Sequence, residues 1–248
     1  MIQLKSAEEI RLMREAGCIV AECHALIADF IRPGVTTLAI DELVEQHIRA
    51  SGAVPSFKGH LDFPASICAA KNDVICHGFP DNIPLEEGDV ITIDLGAYRR
   101  GYHGDSAWTY AVGSVREEIR QLMDDCRQSL LLGIEQARSG KRIGDIGHAI
   151  EAFAAPRGYG VVRDFTGHGI GQELWEDPSI PHYGRAGTGP RISNGLVIAI
   201  EPMLTLGGWQ ATIDADGWTA RTVDQSICVQ YEHTVAVTEN GPLILTQL

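Results

Sequence analysis

None of the six cysteines (Cys18, Cys23, Cys68, Cys76, Cys126 and Cys228) is part of a C-x-x-C pair, which argues against zinc-ribbon and thioredoxin-type chemistry. Free, buried thiols in a reducing compartment are the expectation instead. No stretch approaches the ~18 consecutive apolar residues of a membrane span. The opening segment MIQLKSAEEIRLM turns charged and helical at once, so it lacks the apolar core of a signal peptide. Cations are scarce: 20 Lys+Arg against 33 Asp+Glu leave a net charge of −13. That excludes sequence-independent binding to nucleic acid, because phosphate contacts need clustered positive charge. Pro/Ser-rich linkers are missing too, so residues 1–248 are expected to form one catalytic-size domain with a core that needs no disulfides. With 44% hydrophobic and 21% charged residues the chain is neither disordered nor membrane-embedded.

What is present begins with capping signals. Ser6 with Glu9 predicts a capping box, and Ile10, Met13, Ala16, Gly17 and Val20 follow at helical spacing until Arg32-Pro33-Gly34. A second helix is predicted from near Thr37 to Ser51-Gly52. A third opens on a Ser114/Glu117 box and stops at Ser139-Gly140, and a fourth runs from about Gly144 to Arg157-Gly158. Strand-like segments fill 60–112, Leu196–Ile200 and Ile227–Val237. The helix ends repeat at an offset of 106 residues, so the chain reads as two halves, about 1–113 and 114–248. Helix pairs followed by strands predict an α+β fold, with the helices on one face of a curved, mainly antiparallel sheet.

Two acids interrupt apolar strands, Asp94 in Val90–Leu95 and Glu201 in Leu196–Pro202. A buried charge must be paired or bound to a metal. Folding the chain back about Arg99/Arg100 sets Asp94 opposite Asp105, and folding about Asp216-Gly217 sets Glu201 opposite Glu232, with Gly207-Gly208 able to shift the second register by one residue. Like charges facing each other destabilise a sheet, so two such pairs ask for cations between them. Each acid alone could equally be a surface or salt-bridged residue; the set asks for more. Oxygen ligands suit Mg, Ca or Mn, and an imidazole brings in Fe, Co, Ni and Zn. Glycine-flanked His168, in Thr166-Gly-His-Gly-Ile-Gly171, is the candidate nitrogen donor.

In order and spacing, Ile93-Asp94-Leu95-Gly96, His103-Gly-Asp105-Ser106, Gly167-His168-Gly-Ile-Gly171, Ile200-Glu201-Pro202 and Gln230-Tyr-Glu232-His-Thr234 resemble the type I methionine aminopeptidases over essentially the whole chain. The resemblance implies the pita-bread fold and two divalent metal ions (Co, Mn, Fe or Zn). Asp94 would hold one metal, Asp105 and Glu232 would bridge both, and His168 with Glu201 would complete the other. A water shared between the ions would be the nucleophile, with Glu201 as general acid/base. His77 would hydrogen-bond the substrate's peptide group. Phe63, Cys68, Leu174 and Trp218 would form the pocket for the methionine side chain. Substrates would be N-terminal-methionine peptides and nascent polypeptides, met in the cytoplasm by a monomer, with contact to the ribosome left open.

One position departs from the pattern. The family usually carries a second histidine seven residues after the first, and here Trp175 stands there. An indole offers one donor and no basic site, so activity on ordinary Met-peptides is expected to be reduced or altered. The remaining readings are a proline-directed aminopeptidase of the same fold and a binding protein that has lost catalysis. The 31 residues from Glu201 to Glu232 leave no space for the helical insertion of type II enzymes, and no N-terminal zinc-binding extension is expected. His24, His47 and His148 fall on predicted helices, His103 could support Asp105, and His60, His182 and His233 have no assigned role.

Overall fold

The computed structural model describes residues 1–248. Four helices form where apolar spacing demands: α1 Ala7–Phe30, α2 Thr37–Ala50, α3 Glu117–Gln136 and α4 Ile143–Ala154. The Ser6 box is formed, with Ser6 Oγ accepting from Glu9 N–H and Glu9 Oε2 accepting from Ser6 N–H. The Ser114 box does not form. Helix α3 starts behind Arg116 with no side-chain cap, and Ser114 N–H donates instead to Glu87 Oε1 at 2.6 Å. Helix α4 is capped instead by Asp145, which accepts from Arg142 N–H at 2.8 Å.

All ladders between strands are antiparallel, so the class is α+β. A four-stranded sheet centres on Val90–Arg99, which pairs with Val54–Pro55, Ile67–Lys71 and Tyr102–Ala111. A five-stranded sheet runs Gly241–Ile244, His233–Thr238, Val197–Ile200, Gly167–Gly169, Glu176–Ile180. One apolar cluster lies between α1, α2 and the first sheet, around Ile27, Ile40, Ile91 and Leu95. Another joins α3 and α4 to the second sheet around Leu122, Leu130, Ile146 and Ile198.

The register of the first hairpin differs from expectation. Asp94 pairs with Ala107 and Asp105 with Gly96, because the turn centres on Arg100-Gly101 rather than Arg99-Arg100. Both turn residues have positive φ (52° and 91°), which Gly101 tolerates without strain and which matches the twist of the strands. Asp94 and Asp105 are therefore diagonal neighbours on one face, not direct partners. On the second ribbon the reflection about Asp216-Gly217 holds throughout, with Ile213 opposite Ala220, Met203 opposite Gln230 and Ile200 opposite His233. The Gly207-Gly208 pair introduces no shift.

Side chains stitch the two sheets together where the acids meet. Asp105 N–H donates to Thr234 Oγ1 (3.1 Å), which donates back to Asp105 O (2.8 Å). Ser106 Oγ donates to Glu232 O at 2.6 Å, and Glu232 N–H to Ala107 O at 2.8 Å. Behind this seam, buried His24 donates from Nε2 to Ser106 O at 3.0 Å. No helix is long and apolar enough to cross a membrane.

Candidate metal centre

A cleft of about 180 Å3 lies over the seam and gathers all eleven residues singled out above. Asp94, Asp105, His168, Glu201 and Glu232 are at its polar end; Phe63, Cys68, Leu174 and Trp218 supply apolar wall, with His77 and Trp175 beside them. Three strands, one strand end and one break between strands present these five donors. Asp94 comes from Val90–Arg99, Asp105 from Tyr102–Ala111 and His168 from Gly167–Gly169, while Glu201 directly follows Val197–Ile200. Glu232 sits in the break between Cys228–Gln230 and His233–Thr238.

One ligand atom each from Asp105, His168 and Glu232 lie within 4.8 Å of one another. His168 Nε2 is 3.8 Å from both Asp105 Oδ2 and Glu201 Oε1. Its Nδ1 lies 2.8 Å from Gly169 O. A carbonyl can only accept, so the proton is on Nδ1 and the Nε2 lone pair faces the acids, the tautomer a metal ligand needs. Burial pushes His168 down to about 4, so the ring is neutral at pH 7.

The four carboxyls are under strain of the opposite kind. Burial raises Asp94 to about 7, and burial together with neighbouring carboxylates raises Asp105, Glu201 and Glu232 well above the usual range. Three of their oxygens, Asp94 Oδ1, Asp105 Oδ1 and Glu232 Oε1, are buried with no hydrogen-bond partner in the protein. Buried polar atoms are normally paired. Four acids, one bare imidazole nitrogen and three unspent oxygens fit divalent cations, whose charge would reverse the repulsion.

His77 is held at φ 58°, an uncommon conformation for a side chain of this size, with its ring edge-on to Phe165 and Trp218. Burial lowers its pKa, which favours the neutral ring. Phe63 packs on Trp218 at 5.2 Å and on Phe79 at 5.3 Å, forming an aromatic corner beside the Cys68 thiol.

Sequence reasoning missed several groups in and behind the cleft. Gln230 donates from Nε2 to Glu201 Oε2 at 3.0 Å, and buried His182 accepts Glu201 N–H on Nε2 at 3.1 Å. Phe57, His60, Cys76, Phe165 and Thr166 also line the cleft. Gln230 could have been found, since it stands two residues before Glu232 and opens the Gln230–Thr234 segment singled out above. His103, considered a support for Asp105, instead meets Ser56 Oγ at 2.9 Å.

Comparison with known proteins agrees with this geometry. The profile of metallopeptidase family M24 matches residues 11–239. The chain is 45% identical to methionine aminopeptidase 1 of Bacillus subtilis (strain 168) over 248 residues, covering 100% of both. The crystal structure of methionine aminopeptidase from Rickettsia prowazekii superposes with a TM-score of 0.98 at 39% identity, with 99% of this chain and 100% of that one covered. A prolidase from Pyrococcus furiosus is more distant, with a TM-score of 0.80 at 26% identity and only 65% of its own chain covered. The chain belongs to metallopeptidase family M24, in its methionine aminopeptidase branch, and has the pita-bread fold of that group.

Proposed function

We propose that this protein is a metal-dependent aminopeptidase that removes the N-terminal initiator methionine from peptides and nascent polypeptides. The observation that carries the reading is the junction, in one cleft, of a five-donor acid and imidazole cluster with a soft apolar pocket, in a chain 45% identical end to end to a methionine aminopeptidase. Asp94, Asp105, His168, Glu201 and Glu232 are the residues to hold two divalent cations, Co, Mn, Fe or Zn. When bound, such ions supply Lewis acidity toward a carbonyl and make water a better nucleophile near neutral pH.

The chain's own groups divide the remaining work. Phe63, Cys68, Leu174 and Trp218 bury the methionine thioether, for which soft, polarisable surroundings are suited. The substrate's α-amino group is drawn to the carboxylate end of the cleft. Glu201, steadied by Gln230 at its carboxylate and by His182 at its backbone, takes the proton of the attacking water and returns it to the departing amine. Neutral His77 hydrogen-bonds the peptide group beside the bond that breaks. Trp175 has no basic nitrogen, so it relays no proton.

The test is hydrolysis of Met-Ala-, Met-Val- and Xaa-Pro-type peptides by metal-free protein supplied with Mn, Fe, Co or Zn. Release of methionine is expected, favoured before a small second residue. No methionine release with any metal overturns the reading, and preferential cleavage of Xaa-Pro peptides would replace it with the proline-directed one. For Trp175→His, methionine release is expected to rise, by up to about 100-fold if the imidazole restores one transition-state contact. A variant no faster than the parent shows that Trp175 does not limit the rate.

A further inference from the structure

In the whole molecule seven buried side-chain atoms lack a partner, and five of them line this one cleft. Four belong to Asp94, Asp105, Gln230 and Glu232, around the acids. The fifth is Nε2 of His60, a residue with no part in the scheme above. Unpaired buried donors and acceptors call for an explanation, and in a cleft the simplest is a substrate group.

His60 stands edge-to-face with Trp175, ring centroids 4.8 Å apart at 88°. Trp175 in turn lies 6.5 Å from His168 at 72°, so the indole sits against two imidazoles. The turn that carries His60 is strained. Leu61 and Asp62 are consecutive non-glycine residues at φ 47° and 66°, each costing roughly 1–3 kcal/mol, a burden that characteristically collects at ligand-contacting sites. Hydrogen bonds from Gly59 N–H to Phe63 O (2.8 Å) and from Phe63 N–H to His60 O (2.9 Å) close the turn. The same turn therefore places Phe63 in the apolar pocket and His60 on the indole.

Resting on the aminopeptidase reading, we propose that His60 is a catalytic residue: its Nε2–H donates to the carbonyl oxygen of the scissile peptide as negative charge builds there, and the T-shaped packing with Trp175 fixes its ring. His60 thus supplies part of the imidazole contact that an indole at 175 cannot give, and an imidazole at 175 would add the remainder. An edge-to-face pair is worth about 0.5–1.5 kcal/mol beyond burial, enough to favour one orientation of the imidazole.

The experiment uses metal-loaded protein and the peptide Met-Ala-Ser, with Mn affinity measured calorimetrically on every variant. His60→Phe keeps the packing and removes the donor; kcat is expected to fall about 100-fold, with KM within about threefold of the parent. His60→Gln keeps an amide donor and is expected to recover most of that loss, and Mn affinity stays unchanged in both. In the Trp175→His background, where an imidazole occupies position 175, His60→Phe is expected to cost less than about fivefold, the signature of coupled sites. His60→Phe as fast as an active parent overturns the assignment alone. So does an equal loss in both backgrounds, or a loss that tracks Mn affinity. A parent that releases no methionine defeats the aminopeptidase reading, and the assignment falls with it.

Discussion

Changing Asp105 to asparagine should abolish methionine release, by about three orders of magnitude or more, and should at the same time make the metal-free protein more stable. The loss follows from the cleft's charge: Asp105 is only 3% exposed and shares its surroundings with His168 and Glu232. A neutral amide there weakens the hold on cations that supply the electrostatic part of the rate, usually the largest part. The gain has the same origin with the opposite sign. Below about pH 4 the folded and unfolded chains hold the same carboxyl protons. As pH rises, the unfolded chain releases them while the fold keeps them, up to about 7 for Asp94 and well above the usual carboxylate range for Asp105, Glu201 and Glu232. Stability that these acids allow at low pH is therefore lost as pH climbs through their folded-state values. Asparagine removes one contributor, for a gain on the order of 1–3 kcal/mol at pH 8. For a chain of this size that is roughly 2–4 °C in melting temperature per kcal/mol. Thermal melts of chelator-treated protein between pH 5 and 8.5 should show the parent falling with pH and Asp105→Asn falling less. Saturating Mn should reverse the order, since a ligand bound only by the fold stabilises it. A variant that melts below the metal-free parent at pH 8 would show that the acids do not oppose one another.

How far the sequence led depended on the range of the interaction. The helix start at Ser6 was legible because a cap is a contact over three residues. The Ser114 signal failed because Glu87, distant in sequence, supplies a better partner for its N–H. Glu201 and Glu232 were legible as a pair because Asp216-Gly217 is a strong turn and alternation carries its register outward along the ribbon. Arg99-Arg100 is not such a turn, and moving the centre to Arg100-Gly101 shifted Asp105 from opposite Asp94 to diagonal from it. The aromatic wall of His60 and Trp175 could not be read at all. It depends on two consecutive left-handed residues, Leu61 and Asp62, that no local propensity predicts.

The glycines that flank His168 show the same division, and they carry the second large prediction. In sequence they only flank a candidate ligand; in the fold Gly167–Gly169 is a strand gripped from both sides. A Cβ on Gly167 would meet Ala199 O at 2.3 Å, and one on Gly169 would meet Asp177 O at 2.1 Å. Both obstacles are backbone atoms of neighbouring strands, so neither can rotate away. The glycines are there to let the sheet close around the imidazole, which holds Nε2 toward the acids. Gly169→Ala should therefore cost at least about 3 kcal/mol, the range of severe steric conflicts in a packed interior, and should weaken Mn binding as well. His168→Ala is the contrasting case, because it removes a cleft side chain without forcing backbones apart. That variant should unfold within about 1 kcal/mol of the metal-free parent, yet bind Mn at least about tenfold more weakly. Urea denaturation of chelator-treated proteins, paired with calorimetric Mn titration, separates the two. Gly169→Ala with parental stability would mean that the strand can move, and with it His168, so that the rigidity argued for this imidazole would not hold.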